Sequence, residues 1–345
     1  MNQRVISLVS ALLFAAPLTG TAQQQQLKPN ELATNVAGAT TIAAPPTGFN
    51  PLTASDQDLD YYGYPPRPDQ VAAPKAFASW QKAMNASRKR IMPQLEVTKN
   101  IAGPAKLKAG AVPPGGSAAT SSNWSGYVNT NGVTKYGSSS FYYVIADYNI
   151  PAVQQAFGAC TGGWDYAVTW VGMDGWGSGD VLQAGNETDA YCSGSTKSTY
   201  YSTWYEWYPN GWTRISSLPI VPGDELFVEV WNTSSTAGHA YLVNLSTDQY
   251  VTINFSAPSG TQLVGNSAEW IEERPGVNGS LATLSNYISE YFSDAYAYNF
   301  GYTAVDPASS SSFPVTMLDN SGNAISYPTI LGTNAIWVQD EGSAW

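Results

Sequence analysis

Thr169-Trp170-Val171-Gly172-Met173-Asp174-Gly175 opens the stretch that decides the fold. Val181-Leu182-Gln183-Ala184-Gly185 follows, then Trp204-Tyr205-Glu206-Trp207-Tyr208, then Ala268-Glu269-Trp270-Ile271-Glu272-Glu273. Each piece is short, rich in aromatic and β-branched residues, and holds a polar residue among them, which reads as a strand. Side chains alternate between the two faces of a strand. Trp204, Glu206 and Tyr208 therefore share one face, and Tyr205 and Trp207 share the other. Glu269 lies with Ile271, and Trp270 opposes them. Carboxylates and one amide would project from a floor of aromatic rings, as the wall of an active site would.

Outward from this stretch the pattern holds from Asn123 to the end of the sequence. Phe141-Tyr142-Tyr143-Val144-Ile145, Glu225 to Trp231, Ala240 to Leu245 and Tyr250 to Phe255 alternate apolar and polar residues between Asn-Gly, Pro-Gly and Ser-Gly turns. Helical periodicity is almost absent and no internal repeat is visible. Many short strands at regular spacing predict an all-β domain, an antiparallel sandwich or barrel.

The N-terminal part differs. Met1 to Arg4 is a short positive start, Val5 to Pro17 is apolar but too short to span a bilayer, and Gly20-Thr21-Ala22 is a small-residue cleavage site. Residues 1–22 read as a secretory signal peptide, which places the protein outside the cytosol, extracellular or periplasmic, with no membrane span. Residues 23–60 begin with a glutamine run, and their Ala, Thr, Pro and Asn predict a flexible chain. Tyr61 to Pro68 reads as a turn or polyproline segment. From Gln70 to Ile91, Ala76, Phe77, Trp80, Ala83 and Met84 recur at helical spacing and Arg88-Lys89-Arg90 closes the run, which predicts one basic amphipathic helix. Ala102 to Ser122 is a Gly/Ala/Pro/Ser linker open to cleavage. The reading is thus a signal peptide (1–22), a propeptide and linker (23–115) and a mature domain (116–345).

Charge divides the same way. Of 15 Lys and Arg, 11 lie at or before Lys108, against six of 26 Asp and Glu, a net of +5. The remainder holds four bases and 20 acids, a net of −16. Opposite charges within one chain predict electrostatic docking of the first part on the second. The −16 domain excludes nucleic acid as a partner and suits an acidic medium. The one histidine, His239, in a Ser/Thr/Gly stretch, reads as a loop residue. It leaves no serine triad and no two- or three-His zinc site. No phosphate-binding or dinucleotide fingerprint occurs, so neither a metal nor a cofactor is expected. Cys160 and Cys192, in an oxidising compartment, are expected to pair around the loop that holds Gln183.

Carboxylates and amides remain. A secreted acidic protein can use them for glycoside hydrolysis by a carboxylate pair, or for proteolysis in acid by a carboxylate that activates water. The two Asp-Thr/Ser-Gly loops of pepsin-like enzymes are missing. Five motifs in order, Ser122-Asn123-Trp124-Ser125-Gly126-Tyr127, Trp170 to Gly175, Leu182 to Gly185, Trp204 to Pro209 and Ala268 to Ile271, resemble the glutamic peptidases, or eqolisins. That resemblance implies a two-sheet β-sandwich related to the legume-lectin shape, a basic propeptide and a Gln/Glu catalytic dyad at Gln183 and Glu269. It puts Trp124, Trp170, Asp174, Glu206 and Tyr208 around the cleft. Ser125 stands where a glycine is common, the Gln183-to-Glu206 interval is long, and the stretch after Ala304 matches nothing in the pattern.

The chemistry implied is that ionised Glu269 takes a proton from water and the Gln183 amide donates to the oxyanion. A base that works in acid must stay ionised, so hydrogen bonds are expected to lower the Glu269 pKa. The expected protein is a monomeric acid endopeptidase of peptide substrates, insensitive to pepstatin and held inactive by its own propeptide. A β-sandwich glycosidase and a carbohydrate-binding module remain as alternatives.

Overall fold

The computed structural model describes residues 27–98, 100–102, 118–156, 160 and 162–341. The expected signal peptide, the processing region around residue 115 and most of the linker lie outside them.

The longer strands are β1 (Trp124–Thr130), β2 (Phe141–Asn149), β3 (Val168–Met173), β4 (Val181–Ser193), β5 (Thr196–Tyr208), β6 (Glu225–Ser234), β7 (Ala237–Asn244), β8 (Gln249–Ser256), β9 (Ser267–Glu273), β10 (Ser289–Asn299), β11 (Ser312–Leu318), β12 (Ala324–Ile330) and β13 (Ile336–Asp340). They pair in two arms. One runs β11-β1-β9-β3-β4-β5 and ends on Thr213–Ile215 and Leu95–Val97. The other runs β13-β10-β2-β6-β7-β8 and ends on Ala39–Ile42 and Glu31–Ala33. β12 pairs with both β11 and β13 and joins the arms. Apart from Ala119–Ser121 on β11 and Lys89–Arg90 on β8, these pairings are antiparallel. The fold is all-β and antiparallel, as the alternation predicted.

Alternation sorts the apolar residues into three clusters. Val171, Met173, Leu182, Ala184, Trp207 and Trp270 of the first arm share a core with Val144, Ala146, Val228, Val230, Leu242 and Ile253 of the second. The opposite face of the first arm carries Trp124, Trp170, Val181, Trp204 and Ile271, joined by Phe313 and Val315. The stretch after Ala304 therefore supplies an edge strand and part of this aromatic face. The opposite face of the second arm carries Tyr143, Ile145, Phe227, Trp231 and Tyr241, covered by the N-terminal segment. Antiparallel sheets commonly leave one face to water; here neither arm does.

The N-terminal segment departs from expectation. Residues 31–33 and 39–42, within the stretch read as flexible, form a strand pair that extends the sheet from β8. Two helices form rather than one: α1 (Asp56–Tyr61) and α2 (Pro74–Ala86). Six residues are too few for α1 to show periodicity. Its signal is the cap, where Ser55 Oγ accepts from the Asp58 amide at 3.1 Å. The helix predicted to Ile91 stops at Ala86, because Lys89–Arg90 pairs with β8 and the Arg90 guanidinium lies over Tyr64 and Tyr250.

Charge is the lesser part of the docking. The ion pairs to the later domain are Lys82 with Asp147 and Glu225, and Arg88 with Asp248, beside a much larger apolar contact. Nor does His239 lie in a loop: it sits on β7, stacked on Trp231, with Nδ1 2.8 Å from Asn254 Oδ1. The disulfide joins Cys160 and Cys192. It encloses Gln183 in its loop, but Cys192 lies nine positions on from Gln183 along β4, roughly 30 Å away. The bridge pins the far end of the β4–β5 hairpin, which is the long interval noted in the sequence.

Trp270 ties the two arms together, since it is fully buried in the shared core and its Nε1 donates to Ile145 O at 2.9 Å. Trp270→Ala should therefore cost about 3–5 kcal/mol in urea unfolding, and a loss well below 1 kcal/mol would show that this core does not carry the stability.

Candidate active site

One row of residues crosses the first arm. The register pairs Val128 with Glu269, Glu269 with Gly172, Gly172 with Gln183, and Gln183 with Glu206. Paired residues point to the same side, so Glu269 and Gln183 flank Gly172 on the aromatic face, about 10 Å apart at Cα by the ladder spacing. Gly172, with no side chain, lets the Trp170 ring and Gln183 close in over it. A Cβ there would stand 3.1 Å from Gln183 Cβ, 3.1 Å from Leu182 O and 2.8 Å from the Trp170 ring. The next row repeats the device, with Gly185 between Trp170 and Trp204.

Glu206 sets the orientation of the amide: Gln183 Nε2 donates to Glu206 Oε2 at 2.5 Å. The second N–H of that nitrogen is available to another acceptor. Glu269 and Gln183 are buried, and both Glu269 oxygens and Gln183 Oε1 lack a well-formed partner among the described residues. Buried polar atoms without partners are uncommon, and each calls for a physical explanation.

Burial pushes the Glu269 carboxyl well above the usual carboxylate range; the Ser267 hydroxyl offsets part of this, and the Asp174 charge adds to it. This reverses the lowered pKa expected from the sequence. That expectation assumed hydrogen bonds to a solvated carboxylate, whereas the side chain is wholly enclosed. Glu273, on the same face one turn of the pleat beyond Ile271, is raised to about 8 by burial, against hydrogen bonds from Asn123 and Trp170. Glu272 points the other way, into the shared core. It accepts from Thr169 Oγ1 at 2.7 Å and is also raised by burial to about 8. Asp180, which accepts from Trp207 Nε1, rises to about 7 for the same reason.

The other residues singled out in the sequence divide between cleft and support. Trp124 and Trp170 meet edge to face, with centroids 5.0 Å apart, and Trp170 Nε1 donates to Glu273 Oε2 at 2.9 Å. Tyr208 packs at the edge of this cluster. Asp174 lies in the turn after β3 at φ 67°, a conformation Asp tolerates. It accepts from the amides of Val264 (2.6 Å) and Asn266 (2.8 Å), and so holds the loop that leads into β9 rather than touching Gln183 or Glu269. Gly172 and Glu273 escaped notice in the sequence. The parity that put Glu269 beside Ile271 also puts Glu273 there, and a glycine two residues beyond Trp170 is the visible sign of a close approach over that position.

Further along the same face, Arg214 holds Glu187 with Nε and Nη2, and Asp189 lies beside them. Among the described residues no group of three or more His, Cys, Asp or Glu is arranged to hold a metal ion.

Two outcomes follow from this geometry. Gly172→Ala should keep the fold but lower kcat/KM about 10- to 100-fold by displacing Gln183 or Trp170; wild-type turnover would mean that the close packing over Gly172 is not needed for activity. Asp180, Glu272 and Glu273 have folded-state pKa values above those of free carboxyls, about 3.8–4.5. Their stabilisation is therefore complete below about pH 4 and is lost as pH rises towards 7–8. Thermal melting should show the melting temperature falling between pH 4 and 8, and a flat or rising profile would contradict the assignment.

Residues 122–339 match the Peptidase A4 family. Aspergillopepsin-2 of Aspergillus niger is 31% identical over 228 residues, 61% of this chain and 75% of that protein. Scytalidopepsin B of Scytalidium lignicola is 36% identical over 157 residues, 45% of this chain and 53% of the relative. Scytalido-glutamic peptidase, solved with a transition state analog inhibitor, superposes with a TM-score of 0.52 at 27% identity over 64% of this chain and 98% of that one. A member of the eqolisin family in complex with the tripeptide Ala-Ile-His gives 0.50 at 26% identity, again over 64% and 98%. The match over 122–339 takes in more than half of the 345 residues; the chain belongs to the peptidase A4 family, the eqolisins, and is a glutamic-type endopeptidase.

Proposed function

We propose that Glu269 and Gln183 are the catalytic pair of this endopeptidase. Ionised Glu269 takes a proton from water as the water oxygen attacks the peptide carbonyl. The free N–H of Gln183 Nε2 donates to the oxyanion that forms, while Glu206 holds the amide in place. Glu269 then passes its proton to the departing nitrogen as the C–N bond breaks. An amide is neutral at every pH, so the oxyanion donor is unchanged in acid. The observation that carries this reading is the shared register partner: both side chains flank Gly172 on one face. Trp124, Trp170 and Tyr208 would line the peptide path, and Asp174 would steady the entry to β9. An amide opposite Glu269, together with the family membership, leaves the glycosidase and carbohydrate-binding readings without support.

The same reading extends to the rest of the chain. The shared core supports two arms facing each other as the sheets of a lectin-like sandwich. Residues 1–22 would direct secretion, 23–115 would form the prosegment and 116–345 the mature domain, working on peptides as a monomer. The inhibitory piece would be the strap at Thr98–Ala102. Thr98 N and Oγ1 both donate to Trp212 O, Ile101 packs against the tryptophans of the site face, and Ile101–Ala102 pairs with Gly276–Val277. Glu269 is buried here, and burial raises its pKa, which disfavours the ionised form that a base needs. Cleavage within 103–117 in acid would release the strap and admit water and substrate.

Hydrolysis of a denatured protein at about pH 3–4, with pepstatin present, tests the assignment. Acid-treated wild type should cleave, Glu269→Ala should not, and Gln183→Ala should lose about 100-fold in kcat, the worth of one oxyanion donor. Full activity of Glu269→Ala would remove it as the base.

A further inference from the structure

We propose that residues 27–97 are not shed when the chain is cut within 103–117: they stay bound as a structural part of the working enzyme, and only the strap from Thr98 onward leaves the site. This rests on the proposed processing but not on the dyad. A segment that is to leave should uncover a face fit for water. The face under this one is not. Tyr143, Phe227, Trp231, Tyr241, Tyr250 and Tyr298 are all buried there, under α2 and the turn that follows α1. A contiguous exposed apolar patch of that kind is rare on a soluble protein and drives association. Glu229, between Phe227 and Trp231 on the same face of β6, is wholly buried as well.

The polar contacts across this boundary are mostly neutral. Tyr64 and Tyr250 hydroxyls lie 2.7 Å apart, and Tyr241 Oη donates to Ser87 Oγ at 2.5 Å. Thr41 Oγ1 donates to Thr252 O, and Thr252 Oγ1 to Gly63 O, each at 2.6 Å. The segment also finishes both arms, with Ala39–Ile42 on β8 and Leu95–Val97 on Thr213–Ile215. Acid weakens the ion pairs, Lys82 with Asp147 and Glu225, and Arg88 with Asp248, and the hydrogen bond from Asn254 Nδ2 to Glu31 Oε1. Protonating these four carboxylates leaves the aromatic packing, the hydroxyl pairs and the strand ladders intact. Of the strap's described side chains, by contrast, Thr98 and Ile101 are only partly buried and Asn100 is exposed.

The test starts from the full chain in a Glu269→Gln background, with a recognition site for a sequence-specific protease inserted within 103–117. The added protease makes the cut, so the outcome does not depend on the chain's own activity or on the dyad. After the cut, size-exclusion chromatography at about pH 4 and about pH 7.5 should give one peak holding both pieces. Denaturant should be needed to separate them, and Lys82→Met should not release the smaller piece. Trp80→Ala, which removes the buried centre of α2, should let it go on dilution. Separation of the cut wild-type pieces at either pH would overturn the proposal, whether the larger piece stays soluble or precipitates. Release by Lys82→Met alone would overturn it too, by showing that charge rather than packing holds the segment.

Discussion

A β-sheet with apolar side chains on both faces must be covered on both, and this molecule meets that constraint three times. The arms cover each other through the core around Trp207 and Trp270. The N-terminal segment covers the back of the second arm. The aromatic face of the first arm carries Glu269 and Gln183 among tryptophans, with the strap at Ile101 against it. The face that carries Glu269 and Gln183 is thus the one of the three whose described cover is a short strap rather than a packed layer. The proposed activation rests on that difference more than on the charge contrast between the two parts of the chain.

The same burial explains why so many carboxyls are tolerated in the interior. Asp180, Glu272, Glu273 and Glu269 sit where ionisation is costly. Each is easily accommodated in acid, as a neutral group able to donate or accept a hydrogen bond. The molecule is built for acid from the inside, not only through its surface charge. In the proposed role as base, Glu269 would first have to meet solvent or substrate polarity, since burial disfavours its ionised form.

Much of this was legible in the sequence, because side-chain parity along a strand is a strong rule. Glu269 against Trp270, and Glu206 against Trp207, take the faces that alternation assigned. What parity could not supply is which strands are neighbours. Gly172 matters because β9 and β4 both pair with β3 at that residue, and that register is a tertiary fact. His239 read as a loop residue because Ser, Thr and Gly surround it, yet ladder pairing with β6 and β8 overrides their weak strand propensity. Residues 23–60 read as flexible, and the docking of the first part as electrostatic. Periodicity put Trp80 on the apolar face of a helix, but which residues that face and Tyr64 pack against is again a tertiary fact.

The proposed reaction requires Glu269 and Gln183 to act on one peptide bond across Gly172. A crystal structure of the acid-activated protein with a tetrahedral peptide analogue tests this most directly. It should show the analogue crossing above Gly172, with one of its paired oxygens within hydrogen-bond distance of Gln183 Nε2 and the other of the Glu269 carboxyl. An analogue bound away from this row, or bound with both groups turned from its tetrahedral centre, would contradict the assignment.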